Sequence, residues 1–210
     1  MSKGIYIIGC AKAGTTFLHN NLARSLQISS NTNIKEPGYH ARSVTKHLSK
    51  KCIMSKKNKF IFSQEDYIKL FDNKLQYHLD SSTIYLPFSE QGIPSILDYH
   101  NNRIEEIFII VILRNPYERI ISQYQQMCKN QVEFLSLDEA LREERNRVKK
   151  KYHPFYYYSK YALIAKHLVN FDNHFQNLLI LNYDDLEACP EKTVAKAFNF
   201  LNLGMPKKLD

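Results

Sequence analysis

Tryptophan is absent from this 210-residue chain, and glycine occurs only six times and proline seven. So little glycine and proline excludes collagen-like and low-complexity chains. No CxxC pair joins Cys10, Cys52, Cys128 and Cys189, so the sequence writes neither a zinc ribbon nor a dithiol redox motif. Free thiols in a reduced compartment, acting as small buried apolar groups, are the simplest reading. Long apolar runs are missing too. The longest, Ile107–Leu113, has seven residues, against the roughly 18 of a membrane span. Ile5–Ile8 is too short for the apolar region of a secretory signal. A cytoplasmic protein without stable membrane insertion is expected.

Acidic residues are in deficit. Twenty-nine Lys and Arg against 21 Asp and Glu leave a net charge of +8, and no acidic residue falls between Arg42 and Lys59. An excess of this kind favours an anionic partner. A second basic stretch covers Arg142–Lys151. Both stretches read as solvated surface, with attraction of an anionic cofactor or an acidic glycan as the functional alternative. No helix-turn-helix, RNP or zinc pattern supports a nucleic-acid binder. At 44% apolar residues the chain can bury a core as one domain over residues 1–210.

Short Ile- and Val-rich runs alternate with helical patterns, which predicts an α/β protein. Strands are expected at Ile5–Gly9, within Ser29–Lys35, at Leu75–Leu79, Ile107–Leu113 and Leu178–Leu181. Helices are expected at Thr15–Leu26, Glu65–Asp72, Pro94–Asn101, Tyr117–Lys129, Leu137–Arg147, Tyr156–Phe171 and Thr193–Leu203.

Between the first strand and helix stands Gly9-Cys-Ala-Lys12-Ala13-Gly14-Thr15-Thr16. The frame G-x-x-x-x-G-x-T matches a phosphate-binding loop except that Thr15 stands where a nucleotide kinase needs lysine. The loop can still wrap an anion and aim a helix N-terminus at it. The displaced Lys12 argues against ATP or GTP hydrolysis, and so does Ile107–Leu113 ending in Arg114 rather than Asp. Arg114-Asn-Pro then leads to Ser122. Arg114 sits at a strand end, where open α/β sheets bind ligands. A guanidinium fork and a hydroxyl suit a second phosphate, whereas Arg119 is free to pair with a nearby carboxylate.

The two motifs together resemble the sulfotransferases that use 3′-phosphoadenosine 5′-phosphosulfate (PAPS), in the style of bacterial and glycan-type members. Lys12–Thr16 is similar to their 5′-phosphosulfate loop, and Arg114 with Ser122 to their 3′-phosphate motif. Lys35–Tyr39, Asp80–Tyr85 and Leu181–Leu186 are similar to three further family segments. The resemblance spans about residues 4–203. It implies a three-layer P-loop-like fold with a central parallel sheet flanked by helices. It implies PAPS as donor, 3′,5′-ADP (PAP) as product, no metal, and a small-molecule or glycan acceptor reacting through a hydroxyl or amine. By the same resemblance Lys12, Ala13, Gly14, Thr15, Thr16, Arg114 and Ser122 bind the donor, and Lys12 neutralises the leaving oxygen. Glu36 matches the family's general base, and His40 is the competitor. A P-loop kinase with a displaced lysine, or an inactive PAPS-binding relative, is the alternative. Gly38 stands where glycan members often carry His, and Ser81 where many carry Lys. Members continue past the last helix into a basic loop covering the 3′-phosphate. With only Lys207 and Lys208 there, this loop is expected to be lacking.

Overall fold

The computed structural model describes residues 2–31, 33–57, 59–206 and 209. The strands are β1 (Lys3–Gly9), β2 (Ile28–Ser30), β3 (Tyr77–Asp80), β4 (Ile107–Leu113) and β5 (Leu178–Asn182). β1, β4 and β5 are the expected apolar runs, whereas β2 starts before the expected Ser29–Lys35 and ends at Ser30, and β3 lies further along the chain than the expected Leu75–Leu79. They lie in one sheet of order β2-β3-β1-β4-β5, with every pairing parallel. Parallel neighbours need crossovers, and crossovers put helices on both faces. On one face α1 (Thr15–Leu22) packs with α10 (Pro190–Phe200); elsewhere α5 (Ser89–Tyr99) packs with α8 (Ala165–His174). The expected α/β architecture is therefore the observed one.

The central strands are buried on both faces, which is why they read as unbroken apolar runs. Ile5, Ile7 and Ile8 of β1 and Ile109–Ile112 of β4 are fully buried. Each such side chain contributes about 1.5–3 kcal/mol on burial. The chain winds one way from β1 and the other way from β4. That switch opens a crevice beyond the carboxyl ends of these two strands.

Several helix boundaries differ from the sequence reading. α1 ends at Leu22, because Arg24 and Ser25 turn back onto the carbonyls of Asn21 and Leu22, and Leu26 is 91% exposed. Pro94 lies inside α5 rather than in its first turn; its missing N–H costs one helical bond that the buried Ile93 and Ile96 offset. Tyr156–Phe171 is not one helix. Glu144, on α7 (Leu137–Lys149), accepts the backbone N–H groups of Ser159 and Lys160 at 2.8 and 2.9 Å and the Ser159 hydroxyl at 2.8 Å. Those donors are lost to a helix, and α8 begins only at Ala165. A short helix, α9 (Tyr183–Ala188), was not expected. The basic stretch from Arg42 carries two short helices, α2 (Arg42–Thr45) and α3 (Ile53–Lys57), and α4 spans Gln64–Ile68.

Candidate active site

β1 delivers the chain to the crevice at Gly9, and α1 leaves it at Thr15. Gly14 caps α1 with φ 79°. A Cβ there would lie 2.5 Å from Leu186 Cδ2, so conformation and space both demand glycine. The first-turn N–H groups of α1 have no intrahelical acceptor and carry the positive end of the helix dipole. Ala13 is fully buried beneath the loop, its N–H bonded to Cys10 O.

α6 (Pro116–Lys129) forms the opposite side. Asn115 caps it through the N–H groups of Tyr117 and Glu118. Arg114, just before the cap, donates from Nη1 to Lys12 O at 2.8 Å and from Nε to Glu118 at 3.4 Å. Its guanidinium stacks 4.1 Å over the Tyr183 ring. Lys12 Nζ reaches Gln126 Oε1 on α6 at 3.2 Å. Lys12, Gly14, Thr15 and Thr16 thus face Arg114 and Ser122 across a cleft of about 430 Å³, which Glu36 also lines.

Glu36 arrives on the segment after β2. Its Oε2 accepts from the Thr83 hydroxyl at 3.0 Å, and its Oε1 from Lys35 Nζ at 3.2 Å. Lys35 Nζ also donates to Thr16 Oγ1 at 2.9 Å. Lys12, Lys35 and Arg114 therefore converge on the same cleft. The Lys12 pKa is lowered by burial first, then by the charges of Arg114, Lys129 and Lys35. An anionic ligand in the cleft would relieve that repulsion.

His40 does not join this cleft. It is buried among the rings of Tyr6, Tyr39, Tyr67 and Tyr85, with Nδ1 3.0 Å from Ser95 Oγ. Burial, then His78, His100 and Arg42, hold its pKa well below the usual histidine range. The departures noted in the sequence have local causes. Gly38 has φ +64°, and a Cβ there would meet Phe60 at 2.5 Å, so histidine has no room. Ser81 is fully buried with Oγ 2.7 Å from His19 Nδ1; the cation on this side is Lys35. Arg119 is held by a carbonyl rather than by a carboxylate: it is buried and donates from Nη2 to Tyr158 O at 2.5 Å. Lys207 and Lys208 lie outside the described residues.

Lys35, Thr83 and Tyr183, which fall within the three further segments but were not singled out, also line the cleft, as do Gln123 and Gln126, which sequence reasoning missed. Helical spacing held a signal: Gln126 is four residues from Ser122 and shares its face. Gln123 is buried, and its Oε1 has no partner among the described residues. Among the described residues no His, Cys, Asp and Glu cluster could hold a metal.

Comparison with known proteins adds to this geometry. Residues 4–207 match the model of a family described as the sulfotransferase family. A sulfotransferase from Alicyclobacillus acidocaldarius has a similar structure, with TM-score 0.86 and 21% identity over 100% of this chain and 85% of that one. A sulfotransferase domain from the curacin biosynthetic pathway is similar at TM-score 0.57 and 16% identity, over 99% of this chain and 76% of that one. Mouse sulfotransferase SULT7A1, solved with PAP, is similar at TM-score 0.59 and 14% identity, over 99% of this chain and 61% of that one. No curated protein matches the chain.

Proposed function

This chain belongs to the sulfotransferase family, and on that premise we propose that it transfers a sulfuryl group from PAPS to a hydroxyl or amine. The observation that carries the reading is the convergence of Lys12, Lys35 and Arg114 on one cleft. The Gln123 Oε1, without a partner among the described residues, and the Ser122 hydroxyl in the same cleft fit a polar ligand. Lys12, Gly14, Thr15 and Thr16 would hold the 5′-phosphosulfate, and Arg114 with Ser122 the 3′-phosphate.

In this reaction the acceptor oxygen or nitrogen forms a bond to sulfur, the sulfur–oxygen bond to the 5′-phosphate breaks, and PAP leaves with the electron pair. Lys12 neutralises charge on the departing oxygen. The acceptor proton passes to Glu36, which Lys35 and Thr83 hold at the cleft wall. Glu36 serves this role better than His40, whose ring is sealed among tyrosines. Arg114 stands where a kinase would place a magnesium-binding Asp, which disfavours phosphoryl transfer from ATP. A carbohydrate acceptor rests on the likeness of Lys35–Tyr39 to glycan-type members alone.

Calorimetric titration tests the donor reading. PAP is expected to bind without magnesium, and PAPS to be consumed in the presence of an acceptor. Binding of Mg·ATP with none of PAP would return the kinase reading. PAP binding with no PAPS turnover on any acceptor would mark an inactive relative.

A further inference from the structure

A second, larger cavity of about 850 Å³ adjoins the cleft. We infer that it holds the acceptor, and that this acceptor is a small molecule with an apolar body carrying the reacting hydroxyl. The inference rests on the sulfuryl-transfer reading and names its substrate class. The acceptor oxygen bonds to sulfur, its proton goes to Glu36, and PAP departs with the bridging oxygen.

Position supports this assignment. Arg114 lines both spaces. The segment that begins at Thr83, bonded to Glu36, continues to Pro87 and Phe88, which line the cavity. Tyr161 lines it as well, its ring centroid 6.3 Å from that of Phe88. The Tyr161 side chain is buried and its hydroxyl has no partner among the described residues. Burial raises its pKa well above the usual phenol value; the Arg119 charge opposes the rise and the Glu36 charge adds to it.

The lining chooses the chemistry. Phe88, Leu113, Ile164 and Leu168 face the cavity. A sugar buried there would lose water from several hydroxyls and regain few hydrogen bonds, at a cost for each. Much of the lining's charge is spent at the rim: Lys166 stands 3.9 Å from Glu90, both largely exposed, and His167 bonds to Ser89. Leu163, also a lining residue, is 74% exposed, which leaves an apolar side chain for a ligand to cover. The volume falls within the ordinary range for small-molecule sites.

The test is a homologous series. With PAPS saturating, PAP release is measured for para-alkylphenols from methyl to heptyl and for a chito-oligosaccharide. Each buried methylene is expected to lower KM about fourfold until the cavity is full, with kcat nearly constant. Leu163→Asp, at an exposed position, is expected to weaken para-heptylphenol as a substrate at least tenfold, through KM, and to keep PAP affinity within twofold. A KM that ignores chain length would overturn the inference, as would saturation by the oligosaccharide while the alkylphenols fail. The PAP titration on the same protein separates the two readings. If PAP fails to bind, the donor reading falls, and direct titration of para-heptylphenol still decides the cavity. Affinity weakened by Leu163→Asp supports it, and absence of binding rejects it.

Discussion

The two walls of the cleft stand on different foundations. The loop bearing Lys12 is spliced between β1 and α1, and the strand beneath it is packed by buried isoleucines. The wall bearing Glu36 hangs on side-chain hydrogen bonds. Fully buried Asp80 accepts from Tyr67 at 2.9 Å, from Tyr85 at 2.7 Å, and from the N–H and hydroxyl of Ser82 at 2.9 and 2.5 Å. The Ser82 oxygen in turn accepts the Gly38 N–H at 2.9 Å, and Ser81 N–H donates to Lys35 O at 3.2 Å. Behind them Tyr6 Oη bridges His78 and His100 at 3.2 and 2.9 Å. One wall is set by where the chain must go, and the other by a polar network that specifies geometry only while every member is satisfied. In the proposed function the donor falls to the strand-anchored wall and the proton to the network-held one.

Separating the two walls by substitution gives the largest effects. Glu36→Gln keeps the size of the side chain but gives up the charge paired with Lys35 and cannot take a proton. It is expected to lower kcat about 10²–10⁴-fold while PAP affinity stays near wild type. Lys12→Ala acts on the other wall: a loss of about 10²–10³ in kcat, accompanied by weaker PAP binding. Steady-state kinetics with parallel PAP titration checks both. A Glu36→Gln enzyme with undiminished kcat would remove Glu36 from the chemistry, and an unaffected Lys12→Ala enzyme would do the same for Lys12.

Acid distinguishes the foundations themselves. Burial holds His78 at about 3 and His100 at about 4, with His40 also well below 6.5. In the unfolded chain these groups titrate near 6.5, so below that pH the unfolded state binds more protons and stability falls. Asp80 acts in the opposite sense. Burial raises it to about 6 against an ordinary 3.8, so between those values the folded state holds the extra proton. Each group weighs about 1.4 kcal/mol per pH unit. His19 at about 4 and His153 at about 3 act in the same sense as the other histidines, so five histidines against one carboxyl leave a net loss of roughly 5–6 kcal/mol per pH unit below about pH 6. Denaturant melts from about pH 7.5 to about pH 5 should show this slope. A flat profile would mean that the histidine layer opens to water without unfolding.

The same contrast explains what could be read in the sequence. β1, the glycine loop and α1 are contiguous, and so are β4, Arg114 and α6. Central parallel strands show themselves as apolar runs, and a loop caught between strand and helix needs glycine at fixed places. Fold class and the placing of both motifs at the cleft were legible for those reasons. The fate of His40 was not. Its companions Tyr6, Tyr67 and Tyr85 come from three distant segments, and only the folded chain surrounds the ring with them. The break in Tyr156–Phe171 was hidden likewise, because the acceptor that captures its N–H groups is Glu144 on another helix. Lys35 stood within its motif, but only the fold, after β2, sets it beside Thr16.

The smallest expected effect asks whether the donor has two separate subsites, one on the Lys12 loop and one on α6 across the cleft. Ser122 lies on α6 in the cleft, beyond Arg114. If it meets only the 3′-phosphate, Ser122→Ala removes one hydrogen bond to a charged group, which is worth about 1.5–3 kcal/mol. PAP should then bind about 13- to 160-fold more weakly. Adenosine 5′-phosphate lacks the 3′-phosphate, so its affinity should not move. The ratio of the two affinities therefore isolates the contact from any general loosening of α6, which would weaken both ligands together. Equal weakening of the two would trace the effect to a loosened α6 and remove Ser122 from the 3′-phosphate contact. A collapsed ratio would place the 3′-phosphate on α6 and leave the 5′ end to the Lys12 loop.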